Sequence, residues 1–296
     1  MVLVGYSTGL YARVRKISTN QAYKELLERE CYSQNKAPIE ISPINILADI
    51  ELRDKIYREF LGMLKLEIQH KKQLRNLGFL DSSIEDGLYK SIPRNYIKRR
   101  LIAYSLSRKY NLAGIPGFFQ EEDFKWCFSG GKGFFVPVFD KNGYIEGLSI
   151  HLDNPYNNNQ DIWFSSNGKI NGTGAKNWIM RNNINFNTTN VILTDNLLLG
   201  NLIKETINLP VIAFQNISNS YTILKEIEKT NIKNITFVIR LPQANENLDY
   251  IIRRIFRDLL PLGYNLNTEC ISSYQDFFEK DFFENNFSVS NTLNVA

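Results

Sequence analysis

Apolar residues recur at helical spacing through the first third of the chain and then give way to runs that alternate. From Asp49 onward, Leu52, Ile56, Phe60 and Leu64 stand four residues apart, with Lys55, Arg58 and Glu59 off that line. Such spacing predicts an amphipathic helix whose apolar face packs on a core. A second helical stretch runs through Leu74 and Leu77 and stops at Gly78, a residue that accepts the left-handed conformation of a helix C-terminus. Asp81 can cap a short third helix through Ile84, and Arg94 to Tyr110 reads as a fourth, with Ile97, Leu101 and Tyr104 turned inward. Ahead of these, Met1 to Gly9 reads as strand or turn, and Leu10, Val14, Ile17, Ala22, Leu26 and Leu27 are compatible with helix. The segment SQNKAPIEISP carries two prolines and little apolar periodicity, which predicts a linker ending near residue 45.

After Gly114 the pattern changes. GFFVPVF and YIEGLSIHLD flank an Asp-Lys-Asn-Gly turn with glycine where positive φ is needed, which predicts a β-hairpin. Leu148, Ile150 and Leu152 alternate with Ser149 and His151, predicting one buried and one exposed face. The polar run NPYNNNQ reads as a loop before a strand at Ile162 to Phe164. From Asn190, the strands VILTD, LPVIAF and ITFVI alternate with helical LLLGNLIKETI, YTILKEIEKT and LDYIIRRIFRDLLPLG. That alternation predicts parallel crossovers and a buried sheet. Tyr274 to Phe287 is aromatic and acidic; it suits an amphipathic helix on the sheet, or a docking surface for another protein, and the last residues are expected to fray.

At 296 residues with 43% hydrophobic and 22% charged content, the chain should fold as two domains with a short N-terminal appendage. A net charge of +4 and a pI near 8.8 are compatible with polyanion binding and with an ordinary globular surface, so local clustering must decide. Cys31, Cys127 and Cys270 are too sparse for a disulfide framework, which points to a reducing cytoplasm. No basic segment with an apolar signal core and no apolar run of roughly 20 residues is present, so secretion and membrane insertion are not expected. His70 and His151 belong to no Cys/His cluster of zinc spacing, so neither structural zinc nor any cofactor is expected.

Basic residues cluster as Lys71, Lys72 and Arg75, as Arg94, Lys98, Arg99 and Arg100 followed by Arg108 and Lys109, and as Arg253, Arg254 and Arg257. On helices these could track phosphates, with Tyr96, Tyr104 and Tyr110 stacking on bases; the alternative is a solvated face with the tyrosines in the core. Lys98-Arg99-Arg100 is the first choice among them. Gly130-Gly131-Lys132-Gly133 lacks the spacing of a P-loop and reads as a turn. Asp123, Asp140 and Asp153 form no recognisable metal or acid–base pair.

An ordered series of short motifs resembles a family of proteins from plasmids, phages and conjugative elements, in which part of a primase zinc-binding module precedes a helical and hairpin domain and a primase-type TOPRIM fold. The resemblance runs through His70, Leu77-Gly78, Ile84-Glu85 and Ser91-Ile92-Pro93, then Gly114-Ile115-Pro116-Gly117-Phe118. It continues through Phe135-Val136-Pro137-Val138, Gly147-Leu148-Ser149-Ile150 and Trp163-Phe164-Ser165-Ser166, and covers roughly residues 48 to 260. The fold it implies is an α+β N-terminal and middle region followed by an α/β TOPRIM-like, Rossmann-like domain. The divisions are 1–45, a remnant of the zinc-binding module without metal; 46–185, the helical and hairpin domain; and 186–296, the TOPRIM-like domain.

In such a fold a glutamate after the first strand and an Asp-x-Asp pair after a later one hold magnesium on phosphate. Aligned on the strands, these positions fall on Asp195-Asn196 and on Arg240-Leu241-Pro242, so the resemblance implies a degenerate site without metal-dependent chemistry. Glu246 or Asp249 are the candidate substitutes. The family tends to carry a basic residue at His151, which makes a phosphate contact one reading of that residue and a surface histidine the other. The function expected is that of a non-catalytic primase-like accessory protein that binds nucleic acid, of unspecified strandedness, or a replication partner. An active primase or nuclease with a rebuilt metal site and a protein-binding inhibitor of replication or defence machinery are the rivals.

Overall fold

The computed structural model describes residues 46–156, 159–215, 220–240, 256–257 and 259–271. The expected N-terminal remnant up to residue 45, Pro242, Glu246, Asp249, Arg253, Arg254 and the aromatic segment 274–287 lie outside the described residues.

Helix α1 (Ile50–Gly62) buries Ile56, Tyr57, Phe60 and Leu61. Leu52, expected on the same face, is 38% exposed, because the first turn instead buries Arg53 and Asp54. Arg53 Nε donates to Ala48 O at 3.0 Å and its Nη1 donates to Glu146 O, while Asp54 accepts from Ile145 N at 2.7 Å. Polar side chains thus fasten this end of the helix to the hairpin. Helix α2 (Ile68–Asn76) ends at Leu77 with Gly78 at φ +106, as its sequence predicts, and α3 (Asp81–Asp86) follows. Asp81 does not cap α3. The N-cap is Leu80, and Asp81 faces Arg75, whose Nε donates to it at 2.7 Å.

Strands β1 (Lys90–Ser91), β4 (Gly133–Phe139), β5 (Ile145–Tyr156) and β6 (Asn159–Trp163) form one antiparallel sheet in the order β1-β4-β5-β6. Between β1 and β4 lie α4 (Tyr96–Ser107) and a two-stranded ribbon of β2 (Phe118–Gln120) and β3 (Trp126–Phe128). The β4–β5 turn is the predicted one: Gly143 has φ +82 and Asp140 Oδ1 accepts from Asn142 N and Tyr144 N, both at 2.8 Å. Phe60 of α1 sits among Phe118, Phe128, Phe135 and Phe164, with ring centroids 4.9–5.8 Å apart, so an aromatic cluster joins helix to sheet. Gly117 is required beside it, since a Cβ there would lie 2.2 Å from the Phe164 ring.

Two expectations about β5 and β6 are corrected. Ser149 and His151 are buried, at 1% and 5% exposure, because β4 and β5 have a core on each face. Phe135, Leu148, Ile150 and Leu152 face the α1 core, while Phe134, Val136 and Val138 join Leu74, Ile84, Leu199 and Leu202 in a second core. In the polar run after Leu152, Asn154–Tyr156 continue β5 and Asn159–Gln160 begin β6, with Tyr156 opposite Asn159, where a loop was expected.

The second sheet comprises β7 (Met180–Asn182), β8 (Asn190–Thr194), β9 (Val211–Ala213), β10 (Asn234–Arg240) and β11 (Asn265–Ile271), in the order β11-β10-β8-β9-β7. β8, β9, β10 and β11 pair in parallel, and β7 runs antiparallel to β9. The helices α5 (Leu197–Ile207) and α6 (Ser220–Glu228) connect the parallel strands as the alternation predicts. Both faces are covered: Ile192, Val211 and Val238 enter one core, and Val191, Leu193, Ile212 and Phe237 enter another. Gly200 lets α5 lie directly on the sheet, since a Cβ there would come within 2.3 Å of Met180 Cε and 2.5 Å of Ala213 Cβ. β7 precedes the division read at residue 185 and is nonetheless the edge of this second sheet. Among the described residues no helix is long and apolar enough to cross a membrane.

Candidate nucleic-acid interface

Helix α4 begins where Asn95 caps it, its side-chain oxygen accepting from Lys98 N at 3.1 Å. Its buried face is Ile102, Ala103 and Leu106. Ile97, Leu101 and Tyr104, expected inward, are 66%, 62% and 56% exposed. The helix carries two apolar stripes, and periodicity alone cannot tell which one meets the core. Ala103, small enough for close approach, marks the packed side.

The outer stripe borders a groove of about 540 Å³ lined by Tyr96, Ile97, Arg100, Leu101, Tyr104, Lys125 and Trp126. Tyr96 is held in place by donating its hydroxyl to Glu121. The Arg99 and Arg100 guanidiniums lie 5.9 and 5.7 Å from the centre of its ring. Arg100 pairs with Glu121 at 3.3 Å and with Asp123, and the hydrogen bond to Asp123 raises its pKa. Arg99 packs against Gly130, where a Cβ would lie 3.1 Å from Nη1, and its Nε is buried without a hydrogen-bond partner. Lys169 stands 3.7 Å above the Phe119 ring; burial pulls its pKa down, and Arg99 adds to that effect. Lys125, Trp126 and Lys169 were not singled out in the sequence. Only the pairing of the β2–β3 ribbon with α4 reveals them.

Of the other expected phosphate contacts, several are already paired. Lys71 lies 3.4 Å from Asp81, and the Arg75 hydrogen bond holds the Asp81 carboxyl down at about 2. Arg94 lies 3.8 Å from Asp153, and Lys109 and the Tyr110 hydroxyl both donate to Glu59. Lys72, Lys98 and Arg108 have no ion pair among the described residues. His151 is neither a surface histidine nor available to a phosphate: Nδ1 is 2.7 Å from Asp161 Oδ1, and the ring packs 5.0 Å from Phe134.

Sequence reading also gave Asp153 no partner, whereas it closes a buried chain. Ser91 Oγ accepts from Glu67 N at 2.7 Å and stands 2.6 Å from His70 Nδ1, while His70 Nε2 is 2.8 Å from Asp153 Oδ1. A carboxylate only accepts, so the Nε2 proton points to Asp153, and in the neutral imidazole Nδ1 then accepts from the Ser91 hydroxyl. The residue types are those of a hydrolytic triad, yet Ser91 and His70 are each 4% exposed and the serine oxygen already accepts a backbone proton. The chain is a clamp between α2, β1 and β5.

At the C-terminal edge of the parallel sheet, Thr194 pairs with Val238, so Asp195-Asn196 and Arg240 leave neighbouring strands on the same side. Asn196 is 2% exposed and its side-chain oxygen accepts from Leu199 N at 2.8 Å, capping α5. Among the described residues no three His, Cys, Asp or Glu side chains converge as metal ligands. Among the described residues this edge offers one short carboxylate and a committed amide, which do not make up the several oxygen ligands of a hard divalent cation.

No protein-family model matches the chain, and no curated protein matches it. Solved structures share its fold. The zinc-binding and RNA polymerase domains of the Aquifex aeolicus primase align with a TM-score of 0.55 at 11% identity, covering 94% of this chain and 68% of that one. A DnaG primase catalytic domain bound to ssDNA aligns with a TM-score of 0.56 at 11% identity, covering 79% and 77%. The RNA polymerase domain of Mycobacterium tuberculosis primase DnaG, in complex with a double-stranded DNA oligomer with a 6-nucleotide overhang, aligns with a TM-score of 0.53 at 6% identity, covering 80% and 78%. The chain therefore has a primase-like fold.

Proposed function

We propose that this chain is a non-catalytic, primase-like nucleic-acid-binding protein that works in the cytoplasm as an accessory to the replication of a plasmid, phage or integrative element. The observation that carries the binding is the charge of one continuous stretch. From Arg94 to Gln120 the sequence contains Arg94, Lys98, Arg99, Arg100, Arg108 and Lys109 and no acidic residue; α4 lies within this stretch, and although Arg94, Arg100 and Lys109 reach acids outside it, Lys98 and Arg108 have no ion pair among the described residues. A polyanion is the complementary partner of such a surface. That two proteins of the same fold were solved with DNA supports this reading.

The non-catalytic part rests on the sheet edge, where among the described residues Asp195 and the helix-capping Asn196 do not supply the several oxygen ligands that a divalent ion needs. No step of nucleotidyl transfer is derived there.

The test is a binding titration with single- and double-stranded DNA across a salt series, with and without magnesium or manganese, beside a primer-synthesis assay. The expected result is binding that weakens steeply with salt, is indifferent to the metal, and comes with no primer product. Metal-dependent synthesis or cleavage abolished by Asp195→Ala would establish an active enzyme instead. Absence of any DNA affinity at low salt would leave a protein partner as the ligand.

A further inference from the structure

We propose that Asn167-Gly168 is a site of spontaneous covalent modification, at which the asparagine becomes aspartate and isoaspartate through a cyclic imide, and that the fold protects the other two Asn-Gly pairs of the chain from the same reaction. This goes beyond the functional reading above and does not depend on it.

The three pairs are Asn142-Gly143, Asn167-Gly168 and Asn171-Gly172. Glycine after asparagine is reactive because no Cβ obstructs its backbone nitrogen and its backbone turns freely. The Gly168 nitrogen gives its proton to solvent base and attacks Asn167 Cγ. The N–Cγ bond forms, the Cγ–Nδ2 bond breaks, and the side-chain nitrogen leaves as ammonia, taking up a proton from solvent. Water then opens the five-membered imide. Attack at Cγ gives aspartate, attack at the main-chain carbonyl carbon gives isoaspartate, and in both cases the Gly168 nitrogen regains its proton. Water is the one co-reactant, and no electrons change hands.

Ring closure requires the attacking nitrogen and the side-chain amide to leave the hydrogen bonds they hold. At Asn142-Gly143 both are held by one residue: Asn142 Nδ2 donates to Asp140 Oδ2 at 3.1 Å, and Gly143 N donates to Asp140 O at 3.1 Å. Arg58 Nη2 also donates to Gly143 O at 2.7 Å, which fixes the glycine from its other side. At Asn171-Gly172, Asn171 Nδ2 donates to Gln120, and Gly172 N donates to Lys169 O at 2.9 Å. A Cβ on Gly172 would lie 2.1 Å from Ser166 O, so this backbone is tightly enclosed.

Asn167-Gly168 differs in each respect. Both residues are exposed, and neither the Asn167 side-chain amide nor the Gly168 N–H has a hydrogen-bond partner among the described residues. Gly168 has φ +75, and a Cβ there would meet nothing within 4 Å, so the turn has room to rearrange. Each hydrogen bond that must first break slows closure by roughly fivefold, and the two at each protected pair amount to roughly 25-fold.

The product changes a defined place. Lys169 N donates to Ser166 O at 3.2 Å across this turn, and the Lys169 ammonium stands 3.7 Å above the Phe119 ring. Ser166 Oγ donates to Phe118 O and Gln120 N donates to Ile170 O, which ties the loop to β2. Conversion sets a carboxylate two residues from Lys169 and takes one unit from the net charge of +4, and isoaspartate also adds a main-chain carbon to the turn.

The experiment incubates the full chain, folded and in urea, in mildly alkaline buffer, and follows each Asn-Gly peptide over time by mass spectrometry. Isoaspartate is counted by methyl transfer from labelled S-adenosylmethionine with an isoaspartyl O-methyltransferase. In the folded chain Asn167 should convert roughly 25-fold faster than Asn142 or Asn171, and in urea the three rates should converge. Asp140→Ala removes the acceptor of Asn142 Nδ2 and should speed conversion at Asn142 by roughly fivefold. The proposal is overturned if Asn167 converts in urea and stays intact in the folded chain, or if either other pair converts as fast as Asn167 in the folded chain. Should Asp140→Ala fail to fold, the parent compared with and without urea decides alone.

Discussion

His70 Nε2 and Asp153 Oδ1 meet at 2.8 Å, and through Ser91 the same imidazole is tied to the backbone of Glu67, so one side chain holds α2, β1 and β5 together. His70→Ala should therefore cost about 3 kcal/mol, combining a cavity with stranded buried partners. Ser91→Ala should cost about 1–2 kcal/mol by leaving Glu67 N–H and His70 Nδ1 without their partner. Urea unfolding at pH 7 measures both, and the double variant should fall short of the sum because the residues share one hydrogen-bonded chain.

Glu146 gives a pH-dependent prediction. Its Oε2 is buried without a hydrogen bond, and burial raises its pKa despite the pull of Arg181 and Arg53. A carboxyl raised in the folded state binds its proton more tightly folded than unfolded, so this residue weakens the fold at neutral pH. The penalty fades as pH falls through the raised folded pKa and is absent below the ordinary value of 4.5. Glu146→Gln should raise the melting temperature at pH 7 and leave it unchanged near pH 4. Equal shifts at both values would show that charge is not the cause.

Ion pairing sorts the cations by their effect on DNA binding. Lys98→Ala and Arg108→Ala should each lower the slope of log affinity against log salt by somewhat under one. Lys71→Ala, whose ammonium already faces Asp81, should lower it by less. A salt series on the three single variants distinguishes them.

Two glycines define close approaches that no side chain can enter cheaply. Gly117 combines φ +92 with the Phe164 ring, and Gly200 lies within α5 on the side that meets Met180 and Ala213. Gly117→Ala and Gly200→Val should each destabilise by roughly 2–4 kcal/mol in chemical denaturation. Tightly packed aromatics and backbone cannot shift far enough to relieve the overlap.

What could be seen in advance follows from how local each feature is. The Asp140–Gly143 turn was legible because its chemistry lies within four consecutive residues. The parallel strands at Asn190, Val211 and Asn234 were legible because strands covered on both faces are apolar throughout. His151 was misplaced because alternation along β5 shows which residues share a face and not that a second core covers the polar one. The α4 stripe was placed inward for a related reason: Ile97-Leu101-Tyr104 and Ile102-Ala103-Leu106 both keep helical spacing, and the choice depends on the distant partners α1 and β3. For the candidate site, the cations of α4 were named from charge clustering alone. Trp126 and Lys169 needed the folded ribbon to bring them near.

Successive residues of β4 serve opposite sides: Phe135 joins the aromatics around α1, while Phe134 and Val136 support the layer beneath α5. A strand shared in this way is a party wall, and neither room stands without it. Severing the chain between β6 and β8 would leave each fragment with a raw greasy face, so the two halves should melt in a single cooperative event and neither should be obtainable as a well-behaved protein by itself.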